Sequence, residues 1–293
     1  MTDTRYNIDT CALLVEFQTG VWTARKLDKG ATDELVHNKN AGAKDAARVN
    51  KHLLAGRKEL EVISQHVGNV RNRYVYPRTL PWTDSGLRLL PTVQFMEFNT
   101  RMQQEENTFW ELVEHFITVY PTLITAQAMA LGDMFRREDF PSVDEVKAKF
   151  AFRVNYLPVP TSGDFRIDVG DAASQELKAK FEQFATERVD LAVAEVRGRL
   201  KEHLQRMSDR LTIDVAGGEA KTRRFNDSLL ETGFELCDLV KSLNIVQDPE
   251  LEMARKKLEK AIAGVSVDDL RKNTSVRNDV KKDVDAILKN ITW

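Results

Sequence analysis

Two hydrophobic periods divide the chain. Residues 7–17 form a short apolar run with β-branched members and read as a strand, which Gly20 breaks. Residues 74–91 set Tyr74, Tyr76 and Trp82, then Leu87 to Leu90, on either side of Asp84-Ser85-Gly86, the pattern of an irregular hairpin. Pro77 and Pro81 confine its first arm to an edge or a loop, because proline cannot donate to a ladder. Residues 152–157 and 164–169 alternate apolar and polar positions and predict a second hairpin. Together with residues 7–17 these pieces complete a small sheet.

Three- and four-residue spacing governs the rest. Ala46, Val49, Leu53, Leu54, Leu60 and Ile63 predict a helix over 43–70, preceded by a short one at 32–36. An apolar stripe from Val93 to Tyr120 predicts another, which Pro121 ends or kinks, with a second helix over 122–137. Ser142 and Glu145 have the spacing of a capping box that starts a short helix ending near Phe150. Residues 172–211 hold the longest helical pattern, about 60 Å at a rise of 1.5 Å per residue. Gly217-Gly218 then turns the chain into a helix over 222–243, closing a long antiparallel helical hairpin. Asp248 as N-cap and Pro249 in the first turn start a helix that Gly264 ends. Ser266-Val-Asp-Asp269 starts a short one, and 277–291 a last one. The expected class is mainly α with a small inserted antiparallel β-sheet (α+β). Its regions are a mixed 1–171, the helical hairpin 172–245 and a helical 246–293.

Composition narrows the classes. Of 293 residues, 42% are hydrophobic and 30% charged, enough apolar material for a core and too much for disorder. No apolar run reaches the roughly 18 residues that a membrane helix needs. The first ten residues are polar, without the apolar centre of an export signal, so a cytoplasmic location is expected. Lys and Arg (43) nearly balance Asp and Glu (45), which gives no global pull toward nucleic acid or anionic lipid. Cys11 and Cys237 each lie among apolar neighbours and are expected as separate buried thiols.

Candidate chemistry is sparse. The five histidines are scattered, and neither a His-Glu-x-x-His nor a Gly-x-Ser-x-Gly is present, so no enzyme and no cofactor is expected. Residues 216–222 resemble a phosphate loop only in Gly217-Gly218 and Lys221, and read as a turn between helices. Asp164, Asp168 and Asp171 supply oxygens of the kind a divalent ion takes, without EF-hand spacing; a solvated strand face explains them equally. Residues 44–88 carry nine basic against four acidic residues, with aromatic residues interleaved. Basic groups track phosphates and aromatic faces stack on unpaired bases, so Arg71, Arg73, Tyr74, Tyr76, Arg78 and Trp82 are the candidate set for single-stranded nucleic acid. The competing expectation for those residues is packing within the domain. The mixed-charge helices of 172–243 are a candidate surface for another copy or another protein.

Several local sequences carry a resemblance. Arg224-Phe225, Ser242 to Ile245, Asp248-Pro-Glu-Leu251 and Gly264 to Arg271 look like an uncharacterised family of bacteria and phages. Val21-Trp22 with Ala24-Arg-Lys26, the aromatic stretch Tyr74 to Trp82, and Phe140 to Glu145 with Phe150 and Phe152 are similar to its N-terminal half. Members of that family are often encoded near MoxR-type AAA+ ATPases and von Willebrand A-type proteins. The resemblance implies a phage-encoded, non-enzymatic partner in an ATPase-linked assembly, a likeness in which no catalytic residue is carried over.

Overall fold

The computed structural model describes residues 8–43, 45–161, 171–216, 219–222 and 228–293. The elements run α1 (Ile8–Cys11), β1 (Ala12–Gly20), β2 (Arg25–Leu27), α2 (Lys29–Asn38), β3 (Asn50–His52), α3 (Glu59–Asn69) and α4 (Tyr76–Arg78). They continue through β4 (Leu80–Pro81), β5 (Leu87–Pro91), α5 (Phe95–Leu131), α6 (Val143–Lys147), β6 (Ala151–Pro158) and α7 (Asp171–Leu211). The chain closes with β7 (Ile213–Ala216), β8 (Glu219–Thr222), α8 (Ser228–Leu243), α9 (Pro249–Ile262), α10 (Val267–Lys272) and α11 (Thr274–Asn290). This is the mainly α architecture with a small antiparallel sheet that the two periods predict. Among the described residues β4, β5, β1 and β6 form one sheet in that order. Pro81 lies on its edge strand, where its missing N–H breaks no inner ladder. The predicted partner strand of β6, residues 164–169, lies outside the described residues.

Contacts divide the chain into two compact units, one of residues 1–16, 75–98 and 155–293, the other of 17–74 and 99–154. In the first, β1 pairs with β5 from Ala12↔Pro91 to Glu16↔Leu87. Ala12, Leu14, Leu80, Trp82 and Leu89 from the strands share a core with Leu200, Leu204, Val240, Leu258 and Val284 from the helices. Each cap that the sequence indicates at the C-terminal helices is formed. Asp248 accepts from the N–H groups of Glu250 and Leu251, and Ser266 with Asp269 closes a capping box.

The second unit is built on aromatic contacts. Trp22 meets Tyr120 edge-on at 5.5 Å, Phe109 lies 5.4 Å from Phe152, and Phe116 lies 5.8 Å from Phe150. A Cβ on Gly20 would sit 2.9 Å from the Lys149 carbonyl oxygen, so this strand end accepts no side chain. Ser142 and Glu145 form the expected capping box.

Five expectations are corrected. The strand expected over 7–17 is helical over Ile8–Cys11 and extended from Ala12 through Gly20. The first arm expected of the 74–91 hairpin is helical, a π-helical stretch Val70–Val75 running into α4, and only Leu80 and Pro81 pair with β5. Residues 45–58 are not helical: β3 pairs with β2, and α3 begins only at Glu59. Gly56 has φ +74°, which stops any helix there, and Leu53 donates to the Ala24 carbonyl at 2.8 Å. The apolar residues had helical spacing, but long-range backbone partners took the segment. Pro121 neither ends nor splits α5, which is one helix through that position. Loss of one hydrogen bond and a ring clash cost about 3 kcal/mol. Tyr120, Leu123 and Ile124 are all buried beside the proline, and each contributes about 1.5–3 kcal/mol. Finally, α8 starts at Ser228 rather than 222, because β7 and β8 pair as a hairpin from Ile213↔Thr222 to Ala216↔Glu219. Gly217 and Gly218 at its tip lie outside the described residues. Cys11 is half-buried and Cys237 buried, and both are free thiols.

Candidate functional site

The basic aromatic segment is built around a helix end. The last turn of α4 leaves carbonyl oxygens without intrahelical partners, and such an end carries partial negative charge. Arg199 of α7 donates to the carbonyls of Pro77 at 2.8 Å, Tyr76 at 3.1 Å and Thr79 at 3.2 Å. Arg88 of β5 donates to the Thr79 carbonyl at 3.0 Å and to its hydroxyl at 2.6 Å, and lies 4.6 Å over the Tyr76 ring. Burial, and then the Arg199 charge, push the Arg88 guanidinium below its ordinary pKa. Tyr76 and then Glu195 offset part of this, and Glu195 also pairs with Arg199 at 3.0 Å. Both guanidiniums therefore cap a turn of the chain itself.

The six predicted residues are divided between the two units. Tyr76, Arg78 and Trp82 belong to the first unit, Arg71, Arg73 and Tyr74 to the second. Trp82 is 2% exposed and meets Phe184 edge-on at 6.0 Å, so its faces are closed to a base. Arg71 donates to the Thr19 hydroxyl at 3.0 Å and stacks on Phe17, while Tyr74 lies under Arg101. Arg73 and Tyr76 are exposed and Arg78 is half-buried. Lys44 lies outside the described residues.

The surface with the clearest unburied pattern is α7. From Ala192 on, its seam is core: Ala192, Val196, Leu200, Leu204, Met207 and Leu211 are all buried. From 173 to 191 no side chain is buried, although Leu177, Phe181, Phe184 and Leu191 continue an apolar stripe. Leu177 is 37% and Leu191 52% exposed. Sequence periodicity reads Leu177, Phe181, Phe184, Val189, Val193, Val196, Leu200, Leu204 and Leu211 as one seam, without Leu191, and does not mark where full burial stops.

Two polar clusters invite a chemical reading. Ser208 donates to Asp285, and Lys281 donates to the same carboxylate. Burial would raise the pKa of Asp285, but these hydrogen bonds hold it below the ordinary carboxylate pKa, so it is a weak base toward the hydroxyl. The trio clasps α7 to α11. His203 is buried in α7, and its Nε2 has no hydrogen-bond partner. A Cβ on Gly233 would stand 3.3 Å from that nitrogen. Burial, and then the charge of Arg206, hold its pKa down to about 4.

The histidine makes acid stability a direct test. Below its unfolded pKa of about 6.5 the unfolded chain takes up a proton that native His203 refuses until about pH 4. Its contribution is therefore complete above pH 6.5 and lost as pH falls to 4, a loss of about 3 kcal/mol. Urea unfolding of wild type and His203→Leu at pH 7 and pH 4 measures it. The stability difference between the two pH values should shrink by that amount in the variant; an unchanged difference refutes the assignment.

Among the described residues no group of three or more His, Cys, Asp or Glu side chains is placed to hold a metal ion. Asp164, Asp168 and the side chain of Asp171 lie outside the described residues. No described helix is long and apolar enough to cross a membrane. The chain matches no protein-family profile, no curated protein and no solved structure.

Proposed function

We propose that this chain is a non-enzymatic interaction protein that self-assembles through the first half of α7, or acts as an adaptor of a AAA+ ATPase assembly. One observation carries the reading: the incompletely buried stripe of Leu177, Phe181, Phe184 and Leu191, of which Phe184 packs on Trp82 and Leu177 and Leu191 are exposed, on a 41-residue helix whose second half is core. The intervals of four, three and seven residues follow a 3.5-residue repeat, the spacing that presents a seam to another helix. Charges of both signs flank it, including the Glu176–Lys180 ion pair, as in helices that pair through their edges. The adaptor form extends the reading with the family resemblance. Single-stranded nucleic-acid binding through 71–88 is the alternative. It has less support, because Trp82 is buried and Arg71 and Arg88 already have partners within the chain.

Size-exclusion chromatography with light scattering tests the proposal. The wild type should have a mass above one chain, and Leu177→Glu with Leu191→Glu should weaken association at least about tenfold, with unchanged far-ultraviolet dichroism. A monomeric wild type that also fails to retain an ATPase encoded beside its gene overturns it.

A further inference from the structure

The outward face of α9 has a composition of its own. Leu251, Ala254, Arg255, Leu258 and Ile262 are buried, which leaves Pro249, Met253, Lys256, Lys257 and Lys260 on the opposite side, all exposed. With Glu252 these residues line an open trough of ≈ 450 Å³. From Pro249 to Lys260 the face spans about 16 Å, three turns of helix. Glu252 is the negative charge among these lining residues, and Arg255 holds it through a two-pronged pair with both contacts at 2.8 Å while also donating to Glu259 at 2.8 Å; Glu250 and Glu259, both exposed, are the other carboxylates of α9. Lys256 stands 3.4 Å from the same carboxylate. Among the described residues no ion pair is formed by Lys257 or Lys260. Met253 is 57% exposed at the centre of the face.

We infer that this face docks an acidic amphipathic helix of a partner protein. Three ammonium groups against the one carboxylate of the lining give a positive rim that complements Glu and Asp side chains. Met253 and Pro249 give an apolar floor, and a methionine adapts its unbranched side chain to whatever apolar group it meets. A floor of this length with a charged rim fits the helix-in-groove mode, in which anchors three and four residues apart enter the trough. Nucleic acid fits less well. The face carries no arginine and no aromatic ring for base stacking. This surface lies on a different helix from the α7 stripe, so the inference goes beyond the self-assembly reading.

The probe is a fluorescein-labelled 18-residue helical peptide with leucines flanked by glutamates along one face. Fluorescence anisotropy with the full chain should show binding at 50 mM NaCl that weakens several-fold at 300 mM. Lys256→Glu/Lys257→Glu/Lys260→Glu should weaken it at least tenfold, and Met253→Asp measurably. Lys178→Glu/Lys180→Glu on α7 should leave it unchanged. The inference is overturned by absence of binding at 50 mM, by an equal loss in the α7 control, or by tighter binding of an 18-nucleotide oligodeoxythymidine. Loss of self-association in the α9 variant would assign the face to a second copy and also overturn it. Mass by light scattering reads the α7 proposal and anisotropy reads this one, so each fails separately.

Discussion

Lys51→Ala should destabilise the second unit by about 3–5 kcal/mol, the range for removing one partner of a buried ion pair. The Lys51 side chain is 3% exposed, and its ammonium has three partners: Asp139 at 2.6 Å, Asp28 at 3.4 Å and the Met134 carbonyl at 2.8 Å. Three donors thus meet three acceptors, and without the lysine two carboxylates of low exposure face each other's charge unshielded. Asp28 is also the N-cap of α2. The Ala31 backbone N–H, and after it the Lys51 hydrogen bond, hold its carboxyl below the ordinary pKa. Urea denaturation of wild type, Lys51→Ala and Lys51→Met measures the loss. Lys51→Met keeps most of the stem, so its loss isolates the charge from the packing. Adding Asp139→Asn to Lys51→Met should recover part of it, because the uncompensated charge is then removed. If Lys51→Met is as stable as wild type, the knot contributes nothing net.

Arg277→Met should cost about 3–4 kcal/mol. Arg277 lies in the first turn of α11, and its guanidinium is buried at the end of α7. There it donates to the carbonyls of Leu211 at 2.9 Å, Arg210 at 2.8 Å and Thr212 at 3.4 Å. Those are oxygens that a helix end leaves without partners, and this end is buried. Methionine fills much of the volume but leaves several buried acceptors unsatisfied, which is why the expected loss exceeds that of one ordinary hydrogen bond. Arg277→Lys should recover only a fraction, since a single ammonium cannot span three carbonyls with the geometry of a planar fork. The checks are urea unfolding followed by dichroism and hydrogen exchange of the last turn of α7. Protection that survives in Arg277→Met would show that α7 ends without needing this cap.

Arginine caps also explain why the candidate site was the part least legible in the sequence. Arg88 and Arg71 belong to a basic aromatic stretch whose composition resembles a nucleic-acid surface. Composition does not say that a helix end with free carbonyls lies beside Arg88, or that Thr19 and Phe17 receive Arg71. The α9 face was legible in principle. Met253, Lys256, Lys257 and Lys260 oppose Leu251, Ala254, Leu258 and Ile262 at helical spacing, but lysines on a helix face usually meet only water.

What the chain determined by itself was local. Ser142 with Glu145, Asp248 with Pro249, and Ser266 with Asp269 start helices because each motif satisfies its own backbone donors within one turn. The alternation at 152–157 marks the strand Ala151–Pro158, and the apolar part of the run at 7–17 marks the start of the strand Ala12–Gly20. Tertiary structure decided the rest, and for one reason: the competing free energies came from residues distant in sequence. Asp28 and Asp139 drew Lys51 into a strand, aromatic burial carried α5 through Pro121, and Arg277 closed α7 at Leu211. Burial likewise divided the apolar positions of α7 into full core from Ala192 on and a partly exposed stretch before it. Periodicity records that a face is apolar; only packing determines what covers it.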